Sequence, residues 1–197
     1  MMALGFDPGK RGSAVAFVEA VEADGELRPV CRRVEIVRYD ETQGMIPYLQ
    51  DVQRAVGEMT VARACVERME ISMKGSGYRG NERDRTSWAD MELLVLATSA
   101  ALTGIAAASP GARVEFSTTK VWKGNAKKPV DQVRAAGAMG WGFRRLSDHV
   151  RPTDFGRYEP PYLFGFDGEG RGAEWKDGMD AVSMAQRTLE RRAVRRP

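Results

Sequence analysis

Two apolar runs, residues 3–7 and 13–20, are separated only by Pro8-Gly9-Lys10-Arg11-Gly12. So short a connection joins its strands antiparallel, because a parallel pair needs a crossover of a dozen or more residues. A third run, about 30–39, follows the turn cluster Ala23-Asp24-Gly25-Glu26, and the chain therefore opens as an antiparallel meander. The period then changes. Met45, Leu49, Val52, Val56 and Met59 recur at alternating spacings of four and three, the apolar stripe of an amphipathic helix. Residues 61–67 form a short apolar run that reads as a buried strand. Ser87 and Asp90 resemble a capping box opening a helix over 88–108, which Pro110-Gly111 stops. A strand over 112–116 follows, then a helix from Pro129 to about 139, and helical spacing returns over 177–192 through Met179, Val182, Met184 and Leu189. Three antiparallel strands followed by alternating helix and strand predict an α/β fold, a mixed five-stranded sheet flanked by helices.

The length of 197 residues, 43% of them hydrophobic, suits one domain over 1–197. Residues 140–176 hold no period and read as an irregular insertion, since a structureless stretch of that length is uncommon in a compact domain. No run approaches the roughly 18 apolar residues of a membrane span, and no basic segment precedes an apolar one at the start. The expectation is a cytoplasmic protein without a membrane partner. Cys31, Cys65 and the single histidine, His149, build neither a disulfide framework nor a zinc site.

Net charge is only +3, but its distribution is uneven. Residues 116–145 carry Lys120, Lys123, Lys127, Lys128, Arg134, Arg144 and Arg145 against the one acid Asp131, and residues 187–197 carry five arginines against one acid. Such clustering is the footprint of phosphate binding, although a solvated face produces the same pattern.

Carboxylates beside buried apolar residues need something cationic to hold them. Asp7 closes the first apolar run and Glu67 closes the run 61–67, while Asp177 and Asp180 are three apart on one face of the last helix. If the strands carrying Asp7 and Glu67 are neighbours and that helix packs on them, four carboxylates converge. They cannot all ionise in one place without a compensating charge, and an all-oxygen donor set favours Mg²⁺ or Mn²⁺ over zinc. Singly, each has an ordinary reading: Asp7 starts a Pro-Gly turn, Glu67 is a solvated strand end, Asp177 caps a helix, and Asp180 is favoured by its dipole.

As a set in this order, Gly5-Phe6-Asp7-Pro8-Gly9, Val66-Glu67 and Asp177-x-x-Asp180-Ala181 resemble the RuvC family of Holliday-junction resolvases in the ribonuclease H-like superfamily. The resemblance covers residues 3–139 and 177–190. It implies a ribonuclease H-like fold and a homodimeric endodeoxyribonuclease that cuts four-way DNA junctions by paired nicks. It further implies two Mg²⁺ ions per site, replaceable by Mn²⁺, with Asp7 bridging both metals, Glu67 holding one, and Asp177 with Asp180 completing the other. On this reading the strand ends in aspartate to present a ligand, and Pro8-Gly9 turns the chain away from it.

The family's lysine-bearing segment after its fifth strand is matched most nearly by Lys120 and Lys128, with Lys123 and Lys127 beside them. In the loop 68–86, Arg68, Lys74, Arg79, Arg83 and Arg85 are placed to meet phosphates and Tyr78 to stack on a base. Two features depart from the pattern. Glu70 stands where the family often has an aromatic, and the insertion 140–176 replaces a brief connection. The helix 88–108 reads either as a dimer surface or as core. A less selective branched-DNA nuclease of this fold and a non-catalytic DNA-binding protein are the alternative readings. A sugar-kinase-like ATPase needs two such domains and does not fit the length.

Overall fold

A computed structural model describes residues 1–9, 11–68, 88–118, 134–135, 137–139, 144–145, 158–159 and 174–193. The meander consists of β1 (Met2–Gly9), β2 (Gly12–Ala23) and β3 (Glu26–Arg38). Helix α1 (Met45–Gly57) leads to β4 (Arg63–Glu67), and α2 (Trp88–Ala108) leads to β5 (Arg113–Ser117). A two-residue ladder, β6 (Arg144–Arg145) with β7 (Tyr158–Glu159), precedes α3 (Glu174–Ala193). The main sheet has the order β3-β2-β1-β4-β5. β1 is antiparallel to β2 and β2 to β3, whereas β1 with β4 and β4 with β5 are parallel. The mixed five-stranded sheet expected from the sequence is therefore the one observed.

Strand alternation gives the sheet two unlike faces. Leu4 and Phe6 of β1 with Val15 and Phe17 of β2 form a large-residue face, which packs on Val52 and Val56 of α1 and Leu93, Ala97 and Ile105 of α2. The other face is built from Ala3, Ala14, Ala16 and Val18, and takes Met179, Ala181, Val182 and Ala185 of α3. Small side chains on that face let α3 lie close. At Gly5 the approach is so tight that a Cβ would fall 1.9 Å from the Ala181 carbonyl oxygen, so only glycine fits there.

Several expectations are corrected. β2 and β3 run well past the predicted apolar runs, because the chain reverses at Asp24-Gly25 with φ of 55° and 77° and the polar residues on either side still pair, from Ala23↔Glu26 through Glu19↔Val30. This is the two-residue hairpin turn whose twist matches the strands, and it needs no hydrophobic run to extend the ladder. Residues 140–176 are not irregular throughout, since β6, β7 and the first turn of α3 fall inside them. The helix predicted from Pro129 is described only at 134–135 and 137–139, where it is helical or turns.

The expectation about apolar runs also fails at α2, which is long and apolar enough to cross a membrane by length and composition. Its serine, two threonines and glycine interrupt any contiguous apolar run without adding charge. Within the fold, Leu93, Leu94, Ala97, Ala101, Gly104 and Ile105 of this helix are buried.

Candidate metal centre

Asp7 stands on the small-residue face of β1, two residues beyond Gly5, and is 8% exposed. α3 begins at Glu174, three residues earlier than the sequence suggests, so Asp177 and Asp180 lie within its first two turns. Asp177 is half-buried and Asp180 is 2% exposed. One carboxylate oxygen from each of Asp7, Asp177 and Asp180 lies within 4.8 Å of the other two. The contact at Gly5 is what makes this possible. Ala181, the residue after Asp180, rests its backbone on Gly5, and the helix start is thereby held against the strand that carries Asp7.

β1 does not end at Asp7, as the Pro-Gly turn had suggested. It continues through Pro8↔Ser13 to Gly9↔Gly12 on the β2 side. On the β4 side the ladder stops at Phe6↔Val66, and Pro8 brings no N–H with which to extend it. Asp7 is thus presented where one ladder stops and the other goes on.

Glu67 is one position beyond the Phe6↔Val66 pair and hence level with Asp7 on the adjacent strand, about 4.8 Å across the sheet. It faces the same way. Cys65, two residues earlier, packs on Met184 of α3, and Glu67 shares its side of β4. It is half-buried and lies outside the group of three oxygens within 4.8 Å. The structure therefore gathers three of the four predicted carboxylates and places the fourth beside them.

Arg68 follows directly, exposed, with its backbone N–H donated to the Ser117 carbonyl at 2.9 Å. Lys74, Tyr78, Arg79, Lys120, Lys123, Lys127 and Lys128 lie outside the described residues, as do Glu70, Arg83 and Arg85. The roles of two residues at the site escaped the sequence reading. Gly5 entered it as part of the Gly5-Phe6-Asp7-Pro8-Gly9 motif with no packing role, although its place two residues before the aspartate, on the same face, was the available signal. Ser117, opposite Glu67 on β5, is 3% exposed with a hydroxyl that has no hydrogen-bond partner among the described residues.

Three converging carboxylates, two of them nearly inaccessible to water, form a donor set suited to a cation. The donors are all oxygen, which matches a hard divalent cation such as Mg²⁺ or Mn²⁺ and not a soft one. The residues present fit such a group.

No protein-family model matches the sequence, and no curated protein does. Among solved structures, RuvC of Thermus thermophilus matches with a TM-score of 0.59 at 18% identity, over 98% of this chain and 97% of that one. The same protein in complex with a Holliday junction substrate matches with a TM-score of 0.63 at 16% identity, over 99% of this chain and 97% of that one. The chain has the RuvC fold. Within that ribonuclease H-like frame, the carboxylates are borne on the first strand, the fourth strand and the last helix of the chain.

Proposed function

We propose that this chain is a metal-dependent endodeoxyribonuclease that cuts branched DNA, four-way junctions foremost, by paired nicks. The observation that carries the proposal is the convergence of Asp7, Asp177 and Asp180, with oxygens within 4.8 Å, on a RuvC fold. Asp7 would hold the metal from β1, Asp177 and Asp180 would hold it from α3, and Glu67 would complete the set from β4. Bound Mg²⁺ or Mn²⁺, two ions by the family resemblance, would supply Lewis-acid activation of water and neutralise charge building on the phosphate.

The protein's own part is positioning. Asp7 and Asp180 are nearly inaccessible to solvent and sit on a strand and a helix packed backbone to backbone, so their carboxylates need little reorganisation when substrate arrives. Arg68, exposed beside Glu67, is assigned to a DNA phosphate contact on the chemistry of its side chain. Lys74, Arg79, Lys120, Lys123, Lys127 and Lys128 are assigned to further phosphate contacts and Tyr78 to base stacking, on the chemistry of their side chains. Paired nicks in one junction require two sites related by a two-fold axis, and hence a homodimer. The exposed Trp88 and Val95 on α2 support that helix as its surface.

The test is cleavage of labelled four-way junction, Y-fork and linear duplex of matched sequence, in Mg²⁺ and in EDTA, with wild type beside Asp7→Asn. Symmetric nicks confined to the junction, dependent on metal and lost in Asp7→Asn while binding persists, are the expected result. Cutting of every substrate would reduce the protein to a general nuclease of this fold. Tight junction binding without cutting in any metal would make it a binding module.

A further inference from the structure

The parallel ends of β1, β4 and β5 stand side by side, and each brings one polar residue to the face on which α3 packs against β1 and β4. Gly5 of β1 abuts Ala181 of α3, and Cys65 of β4 packs on Met184, so Asp7 and Glu67, two residues further along each strand, face α3. The β4–β5 register pairs Cys65 with Glu115 and Glu67 with Ser117, which sets Ser117 on that face as well. Val66 points the other way into the large-residue core, and Phe116 beside it is 53% exposed, as alternation demands. The row is Asp7, Glu67, Ser117, at an interstrand spacing of about 4.8 Å.

Ser117 is anomalous in that row. It is 3% exposed, its carbonyl accepts the Arg68 N–H, and its hydroxyl has no hydrogen-bond partner among the described residues. A buried hydroxyl without a partner is uncommon in folded proteins and requires a reason. A serine hydroxyl offers one donor, and the neighbour in register is a carboxylate, which accepts only. Glu67 has three side-chain torsions to fix and lies outside the three-oxygen cluster. Carboxylates that hold metals are commonly held in turn by a hydrogen bond from a second residue.

We infer that Ser117 is a positioning residue for Glu67. Its hydroxyl donates to the Glu67 carboxylate when that carboxylate turns toward a cation shared with Asp7, Asp177 and Asp180. The inference rests on the metal reading of the carboxylate cluster and adds to it a residue that neither charge nor motif marks. The hydroxyl stands ready at a cost to the metal-free protein and gains its partner when the site is loaded.

Two signs follow, and they are opposite. Ser117→Ala removes a hydroxyl without a partner among the described residues, so in EDTA the variant melts no lower than wild type. The same variant binds Mn²⁺ about 10- to 100-fold more weakly, the usual loss when a supporting partner is removed. A residue that merely fills space moves stability and leaves metal affinity unchanged. Free Mn²⁺ is read by electron paramagnetic resonance on full-length protein without DNA, for wild type, Ser117→Ala, Glu67→Gln and the double variant.

The expected result is a loss in Ser117→Ala that largely disappears in the Glu67→Gln background, because the hydroxyl acts through that carboxylate. Equal Mn²⁺ affinity in wild type and Ser117→Ala overturns the inference while the metal centre stands. So does a loss of the same size in both backgrounds, which places the hydroxyl's action elsewhere. Failure of wild type itself to bind Mn²⁺ above the level of Asp7→Asn removes the metal centre and Ser117's role together.

Discussion

Adding one methyl group at Gly5 tests how the site is assembled. The Cβ of Gly5→Ala would stand 1.9 Å from the Ala181 carbonyl oxygen, 2.8 Å from its carbon and 3.0 Å from the Ala185 nitrogen. All three are backbone atoms, so no side chain can rotate out of the way. Restoring ordinary contact requires α3 to withdraw from β1 by roughly 1.5 Å. Asp180 immediately precedes Ala181, so the retreat carries its carboxylate from Asp7 and opens a cluster whose oxygens now lie within 4.8 Å. Overpacking of this kind costs about 1–3 kcal/mol, which in a chain of this size lowers the melting temperature by roughly 2–12 °C. The effect on function is larger than the effect on stability. A misplacement of about 1 Å between reacting groups costs on the order of 100-fold in rate, so junction cleavage by Gly5→Ala should fall by about that factor or more. Mn²⁺ affinity should fall with it, although no ligand has been changed. Single-turnover cleavage, Mn²⁺ titration and a thermal melt read the three effects. A Gly5→Ala protein that keeps wild-type Mn²⁺ affinity, with cleavage within about a factor of three, would refute the account of how α3 is held.

Gly104→Ala is the matching control, since its Cβ would meet the Gln53 carbonyl oxygen at 2.5 Å and Val56 at 2.6 Å between α1 and α2, on the opposite face of the sheet. It should cost about 1–3 kcal/mol in urea titration and leave Mn²⁺ affinity unchanged. The buried Ser13 and Tyr48 hydroxyls share a 2.6 Å hydrogen bond, so Tyr48→Phe leaves Ser13 without that partner and should destabilise by about 1–3 kcal/mol. Adding Ser13→Ala should recover part of the loss, and strictly additive effects would contradict the pairing. Burial pushes the Cys31 thiol from 9.0 up to about 12, so alkylation of the native protein at pH 8 should be very slow. The neutral thiol's contribution to stability is complete below pH 9 and is lost as pH rises toward 12, a decline that Cys31→Ala should lack in urea titrations across that range.

The elements were largely legible because each carries its own period. α2 spans Trp88–Ala108 as its composition and the Pro110-Gly111 stop indicate, and the meander follows from connections too short for a crossover. The pair Asp177 and Asp180 was also legible, since a spacing of three puts two side chains on one face of any helix. Elements held by backbone pairing were read too short. The outer half of the β2–β3 hairpin is stitched by main-chain hydrogen bonds on either side of Asp24-Gly25, and Glu22, Glu26 and Arg28 give no apolar signal there.

Residue types and periods thus determined by themselves which carboxylates are candidates and which strand or helix bears each. Their convergence was a conditional statement until the sheet order β3-β2-β1-β4-β5 made β1 and β4 neighbours. Gly5 and Ser117 show why the rest was decided only in three dimensions. A glycine signals close approach only once the helix lying on it is known, and a serine comes beside the carboxylates only once parallel register sets it opposite Glu67. Periodicity is a property of one segment, whereas contact between segments depends on how two faces fit, and that fit is decided by the packing of the whole sheet against α3.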